Sequence, residues 1–234
     1  MSSGKSALII GATGATGKHL LQELLQSSAF TRVGEYGRRV TSQESINVGK
    51  DKLEQKTIDF EKLEEAGLKE GKWDVVYITL GTTRAAAGSA AAFEKIDKDY
   101  VLNAARLAKH DDSSKPQRVV YLSVSPILVS PVKPYPHILS TLTEVGLAAL
   151  GYDETIIVRP GLITERGGES RLGETIAGYL FSTSLLAKAI RISGELGVKG
   201  LPAAAQPKEE GQPPSVFTSI NHLGLRGLLR ESKD

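Results

Sequence analysis

The chain has 234 residues, a formal net charge of +2 from 29 basic and 27 acidic residues, and no cysteine. That length suits one α/β domain with a few additions and can bury a sizeable core. The near balance of charge argues against a field that steers toward nucleic acid or an anionic membrane, and the lack of cysteine excludes disulfides, thiolate chemistry and a cysteine-ligated metal.

Met1 to Ser6 is short and polar, without the apolar length of a secretory signal or the Arg-rich pattern of a transit peptide. No run approaches the ~18 apolar residues of a membrane span, so a soluble, cytoplasmic protein is the expectation. Ala7–Ile10 reads as a buried strand and leads straight into Gly11-Ala12-Thr13-Gly14-Ala15-Thr16-Gly17. A helix from Lys18 to about Ser27 follows. In this strand–turn–helix context the glycines let the main chain approach a pyrophosphate, and the helix aims its N–H groups and positive dipole end at the phosphates. The alternative is a glycine-rich turn without a ligand.

Further strands are expected at Thr31–Tyr36, Lys56–Asp59, Asp74–Leu80, Arg118–Val124 and Thr155–Val158, with helices at Ala90–His110 and Ile138–Leu150. Continuous apolar strands alternating with helices predict a parallel sheet covered on both faces, hence a Rossmann-type doubly wound α/β domain. Ligands then sit at the carboxyl ends of the strands. From Leu162 onward the pattern suggests a small C-terminal substrate-side cap, then a strand at Ser215–Ser219 and a helix at Asn221–Glu231. Pro202–Pro214 reads as an exposed, mobile loop. One domain spans residues 1–234, with substrate-side elements at 126–150 and 162–214.

The strand ends carry the candidate chemistry. The second ends in Gly37-Arg38-Arg39. A carboxylate about 20 residues past the glycine turn would bind a ribose 2′-hydroxyl; two guanidinium groups suit a 2′-phosphate instead, which predicts NADP(H) over NAD(H). The alternative is a solvated basic loop. Asp59-Phe60 suits the adenine ring, although Asp59 is equally a turn residue or cap. Leu80-Gly81-Thr82-Thr83 keeps backbone and hydroxyls near a cofactor ribose, or is a plain strand-end turn. Ser123 and Ser125 share one strand face and are candidate hydroxyls for a substrate carbonyl. Arg159-Pro160-Gly161 ends the sixth strand beside the expected nicotinamide, with Arg159 alternatively a structural ion-pair partner. His19, His110, His137 and His222 have no metal-ligand spacing, and basic residues do not cluster with aromatics, so metal and nucleic acid are not expected.

In order along the chain, the glycine turn, Gly37-Arg38-Arg39, Asp59-Phe60-Glu61-Lys62-Leu63, Leu80-Gly81-Thr82-Thr83-Arg84, Asp97-Lys98-Asp99-Tyr100-Val101-Leu102, Arg159-Pro160-Gly161 and Glu169-Ser170-Arg171 resemble one family. It is the group of atypical short-chain dehydrogenase/reductases similar to the Tat-interacting oxidoreductase of vertebrates and its fungal mitochondrial-proteome counterpart. The resemblance covers about residues 7 to 175, with Leu80–Arg84 and Glu169–Arg171 its specific parts. It implies NADPH binding, reduction of a small carbonyl or enone, and association with a mitochondrial membrane, leaving the oligomeric state open. The family pairs two serines after the fifth strand with Tyr-x-x-x-Lys, the Tyr as acid and the Lys lowering its pKa. Here Val124 takes one serine place. Tyr135 is the nearest tyrosine, and Leu139, not Lys, stands four residues on. Lys133 precedes Tyr135 on what reads as a proline-rich loop. Ser125, Tyr135 and His137 are the remaining candidate acids; imine or conjugate reduction needs less help at oxygen than ketone reduction does. The other readings are a cofactor-binding scaffold or sensor without redox turnover, or a non-redox biosynthetic enzyme on the same fold.

Overall fold

Ala7, Leu8, Ile9 and Ile10 are completely buried in the computed structural model, which describes residues 4–123, 135–164 and 180–232, without the side chains of 135–138. They form most of β1 (Lys5–Ile10), which pairs in parallel with β2 (Phe30–Gly37) and with β4 (Val75–Ile78). Side chains alternate across a strand, so Ala7 and Ile9 enter one core and Leu8 and Ile10 the other. Such a strand has no solvent face, which is why its sequence is continuously apolar.

The other strands are β3 (Leu53–Thr57), β5 (Arg118–Leu122), β6 (Glu154–Arg159), a short pair β7 (Leu162–Thr164) and β8 (Leu180–Ser182), then β9 (Lys208–Gln212) and β10 (Ser215–Asn221). Among the described residues the main sheet has eight strands in the order β3-β2-β1-β4-β5-β6-β10-β9. All run parallel except β9, which is antiparallel to β10. The order reverses between β1 and β4, the place where doubly wound sheets open a ligand crevice.

Helices cover both faces. On the first, α1 (Gly17–Gln26) buries Leu20, Leu21, Leu24 and Leu25. On the second, a short α2 (Arg84–Ala87) precedes α3 (Ala90–Glu94), a π-helical turn at Lys95–Asp99, and α4 (Tyr100–Ala108). These last three occupy the single helix expected at Ala90–His110. α5 (Tyr135–Ala149) adds Leu147 and Ala148 to the second core. α6 (Thr183–Leu196) and α7 (His222–Glu231) return to the first face.

Four expectations are corrected. The third strand is Leu53–Thr57, not Lys56–Asp59, so Asp59 and Phe60 lie beyond it. Tyr135 begins α5 three residues before the expected start; Pro136 is tolerated there because first-turn amides lack intrahelical acceptors. Pro202–Pro214 is not a loop throughout: Lys208–Gln212 pairs with β10 as an edge strand. Residues 183–196, read as part of a cap, form a full helix packed on α1 and the sheet. The Tyr77 hydroxyl donates to the Arg191 carbonyl at 3.0 Å, tying β4 to that helix.

Candidate cofactor and active site

The register lines up Tyr36, Ile10, Ile78, Tyr121 and Ile157 in one row across β2, β1, β4, β5 and β6. Each candidate stretch starts within a few residues of that row. Gly11–Gly17, Arg38–Arg39, Leu80–Thr83, Ser123 and Arg159–Gly161 therefore share one edge of the sheet.

At the glycine turn, Gly11 has φ +97, and a Cβ there would stand 2.7 Å from the Leu80 amide nitrogen. This turn therefore lies directly on the chain leaving β4. A Cβ on Gly17 would lie 2.0 Å from the Gly11 carbonyl oxygen, so Gly17 is needed for α1 to start against the turn. Gly14 is different: its Cβ would meet only the Gly11 oxygen, at 3.2 Å. Thr13 and Gly14 are exposed, Ala15 is half-buried and Thr16 is buried. The Gly14 amide donates to the Gly11 carbonyl at 3.0 Å. No side chain caps α1; instead the Lys18 amide donates to the Gly14 carbonyl at 3.1 Å, and the His19 and Leu20 amides to the Thr16 carbonyl at 3.1 and 3.0 Å.

Arg38 and Arg39 follow β2 and are both exposed. Among the described residues neither guanidinium has an ion-pair partner. Asp59 is exposed and accepts from the Glu61 amide at 2.9 Å, the turn role weighed for it above. Phe60 is buried and packs on Tyr100 with ring centroids 5.0 Å apart. After β4, Leu80 is half-buried and Gly81 exposed. The Thr82 amide donates to Asp97 at 3.0 Å, across from the π-helical turn. The Thr83 hydroxyl caps α2 by accepting from the Ala86 amide at 3.1 Å.

At the end of β5 the structure brings together residues that sequence reasoning did not join. Ser123 is buried and its hydroxyl donates to Glu144 on α5. The Ser123 and Ser140 hydroxyls are 2.6 Å apart. A serine has one proton to give, and that of Ser123 goes to Glu144, so Ser140 is the donor in this second bond. Ser140 and Glu144 are four residues apart on one helix face. That polar spacing within an apolar helix was the available signal. Ser125 lies outside the described residues, as do Lys133 and Glu169–Arg171, and the Tyr135 side chain is not described.

Arg159 is held on two sides. Its Nε and Nη2 donate to the two Glu144 oxygens at 3.0 and 2.6 Å, and Nη1 reaches both Glu210 oxygens at 3.0 Å. The guanidinium thus makes ion pairs with a carboxylate on α5 and another on β9. Pro160 and Gly161 are buried, and the Gly161 amide donates to His222 Nδ1 at 3.2 Å.

Burial alone would raise the Glu210 carboxyl. Hydrogen bonds from the Ser219 hydroxyl and from Arg159 outweigh it and hold the group below the usual carboxylate range. A depressed folded-state value stabilises the protein above the unfolded value of about 4.3, and that contribution disappears as pH falls through the folded one. Glu210→Gln is therefore expected to flatten the loss of thermal stability below about pH 4.3. Thermal unfolding followed at a series of pH values checks this; an acid limb identical to that of the parent protein contradicts it.

The chain matches the NAD dependent epimerase/dehydratase family over residues 7–136. It is 34% identical to protein HTATIP2 of Rattus norvegicus over 192 residues, covering 76% of this chain and 71% of the relative. It is 32% identical to the mitochondrial protein FMP52-1 of Scheffersomyces stipitis, covering 90% of this chain and 93% of the relative. Among solved structures, a short chain dehydrogenase from Burkholderia cenocepacia in complex with NADP superposes with a TM-score of 0.62 at 17% identity, over 84% of this chain and 86% of the other. That likeness is one of fold.

Proposed function

The chain belongs to the NAD dependent epimerase/dehydratase family, and from that premise we propose that it is an NADP(H)-dependent oxidoreductase acting on a carbonyl, enone or imine of a small organic substrate. The observation that carries the reading is the pair of exposed guanidinium groups of Arg38 and Arg39 after β2, neither of which has an ion-pair partner among the described residues. Guanidinium forks match phosphate oxygens, and among the described residues no carboxylate pairs with them.

The residues fit the cofactor. Gly14 is exposed at the turn where β1 hands over to α1, and without a side chain there the backbone can approach a pyrophosphate at the positive end of the helix. Arg38 and Arg39 would hold the adenosine 2′-phosphate, and Leu80 to Thr82 would line the ribose side. Bound there, the nicotinamide supplies hydride. In reduction, Tyr135 or Ser125 would give the proton to the substrate oxygen or nitrogen as hydride arrives at carbon. Ser140 donates to Ser123 and Ser123 to Glu144, so the two hydroxyl protons run toward the carboxylate and the Ser140 oxygen keeps its capacity to accept. In the oxidative direction that oxygen accepts a hydrogen bond from a substrate hydroxyl or amine. Glu144 is fixed by Arg159, which keeps Ser123 oriented. We assign Ser123, Ser125 and Tyr135 to the reacting end of the substrate. The fungal relative is a mitochondrial protein, which supports a mitochondrial location. No helix among the described residues is long and apolar enough to cross a membrane.

Two glycine substitutions separate fold from ligand. Gly17→Ala puts a Cβ 2.0 Å from backbone and is expected to lower stability by about 1–3 kcal/mol. Gly14→Ala brings a Cβ to 3.2 Å from one backbone oxygen, so it should cost less stability than Gly17→Ala while weakening NADPH binding roughly tenfold by keeping the phosphates off the backbone. Fluorescence titration with NADPH and thermal unfolding of both variants provide the check. Unaltered NADPH affinity in Gly14→Ala removes the pyrophosphate from this turn.

A further inference from the structure

Glu35 is completely buried in β2, four residues before Arg39 and within the buried run Val33–Tyr36. Its carboxylate has no ion-pair partner among the described residues. It holds three donors instead. One oxygen accepts the Thr41 amide at 2.8 Å and the Thr41 hydroxyl at 2.7 Å. The other accepts the Gln55 side-chain amide at 2.6 Å. Gln55 stands directly opposite Glu35 in the β2–β3 register and also donates to the Thr41 carbonyl at 2.7 Å. Gln43 in turn donates to the Gln55 side-chain oxygen at 2.5 Å.

Arg38 and Arg39 sit between two fixed points. On the strand side, the Gly37 carbonyl accepts from the Ile58 amide at 2.9 Å. On the far side, Thr41 is gripped at its amide, hydroxyl and carbonyl by Glu35 and Gln55. Only residues 38 to 40 span the gap. Burying a carboxylate is costly unless its oxygens are satisfied by hydrogen bonds. Here every named bond goes to the loop or to the strand that steadies it.

We propose that Glu35, through Thr41 and Gln55, is a positioning residue that pre-organises the Arg38–Arg39 loop and so sets the preference for a 2′-phosphorylated dinucleotide. The inference rests on the NADP(H) reading above. Fixing the loop before binding removes an ordering cost that would otherwise subtract from affinity. That gain applies to the ligand that touches the arginines and not to its counterpart lacking the phosphate. Glu35 therefore acts on the ratio of the two affinities, whereas a merely structural role would lower both or neither.

The test measures dissociation constants of NADPH and NADH by nicotinamide fluorescence for the parent protein, Glu35→Ala and the Arg38→Ala, Arg39→Ala double variant. Glu35→Ala is expected to weaken NADPH roughly tenfold and NADH less than about twofold. Thr41→Val, which removes only the hydroxyl at nearly constant volume, should move the ratio in the same direction by roughly threefold and serves if Glu35→Ala does not fold. An unchanged ratio in the Glu35 and Thr41 variants, alongside its collapse in the double arginine variant, overturns the proposal and leaves the cofactor reading standing. Equal weakening of both cofactors also overturns it. A ratio near one in the parent protein, or one untouched by loss of both arginines, defeats the cofactor reading itself and the positioning role with it.

Discussion

Replacing both Arg38 and Arg39 with alanine is expected to abolish most of the preference for NADPH while leaving NADH affinity nearly as it was. A hydrogen bond to a charged group contributes about 1.5–3 kcal/mol, which is about 10- to 150-fold in a dissociation constant. The two side chains share one phosphate, so their effects will not simply add. Both are exposed in the absence of cofactor, so their removal leaves no buried group unsatisfied and the unfolding temperature should hardly move. That separation of binding from stability makes the experiment clean. Paired titrations with NADPH and NADH report it; a double variant that keeps the parent preference contradicts the assignment.

Glu144→Ala is expected to be the most destabilising single change in the network behind Ser123. The Glu144 side chain is 3% exposed and that of Arg159 14%. Removing the carboxylate strips Arg159 of half its hydrogen bonds and leaves the Ser123 hydroxyl without its acceptor. Breaking a buried pair from one side costs about 3–5 kcal/mol. For a chain of this size each kcal/mol corresponds to about 2–4 °C in melting temperature, so a drop on the order of 10 °C is anticipated. Glu144→Gln keeps an acceptor for Ser123 and fills the same volume, and should recover part of the loss. Thermal unfolding of the two variants decides the matter. Equal stability of Glu144→Ala and the parent would show that Arg159 is satisfied through Glu210 alone.

The sheet was readable because its strands are buried on both faces. Ala7–Ile10 and Val75–Ile78 are continuously apolar, and a glycine turn follows the first of them. β9 was not readable, because Lys208-Glu209-Glu210-Gly211-Gln212 contains no apolar side chain; it joins the sheet through backbone pairing and the Glu210 bonds to Ser219 and Arg159. α6 does carry an apolar stripe in Leu186, Ala189 and Ile190; reading it as a cap passed over that helical period.

The cofactor edge of the site was legible for the same reason as the sheet: each candidate stretch ends a recognisable strand. The reacting end was less so. Ser123 was visible as a strand-end hydroxyl, but its partners Ser140 and Glu144 come from a helix 17 and 21 residues away. The tyrosine–lysine spacing of the family falls instead on Leu139, which is buried. Arg159 shows the converse: a cation at the end of a strand looks available in sequence, whereas Glu144 and Glu210 already occupy it. Glu35 stands out as a charge inside a buried strand, yet only the bonds to Thr41 and Gln55 reveal what it holds.

The central claim is that this chain moves hydride between NADP(H) and a small organic substrate. The most direct measurement incubates the protein with NADPH deuterated at nicotinamide C4 and a panel of ketones, enones and cyclic imines, then follows both cofactor oxidation and product mass. The account predicts substrate-dependent oxidation of NADPH, with one deuterium transferred to the product of at least one member of the panel. Tight NADPH binding with no oxidation and no deuterium in any product would contradict it, and would mark the protein as one that holds the cofactor without turning it over.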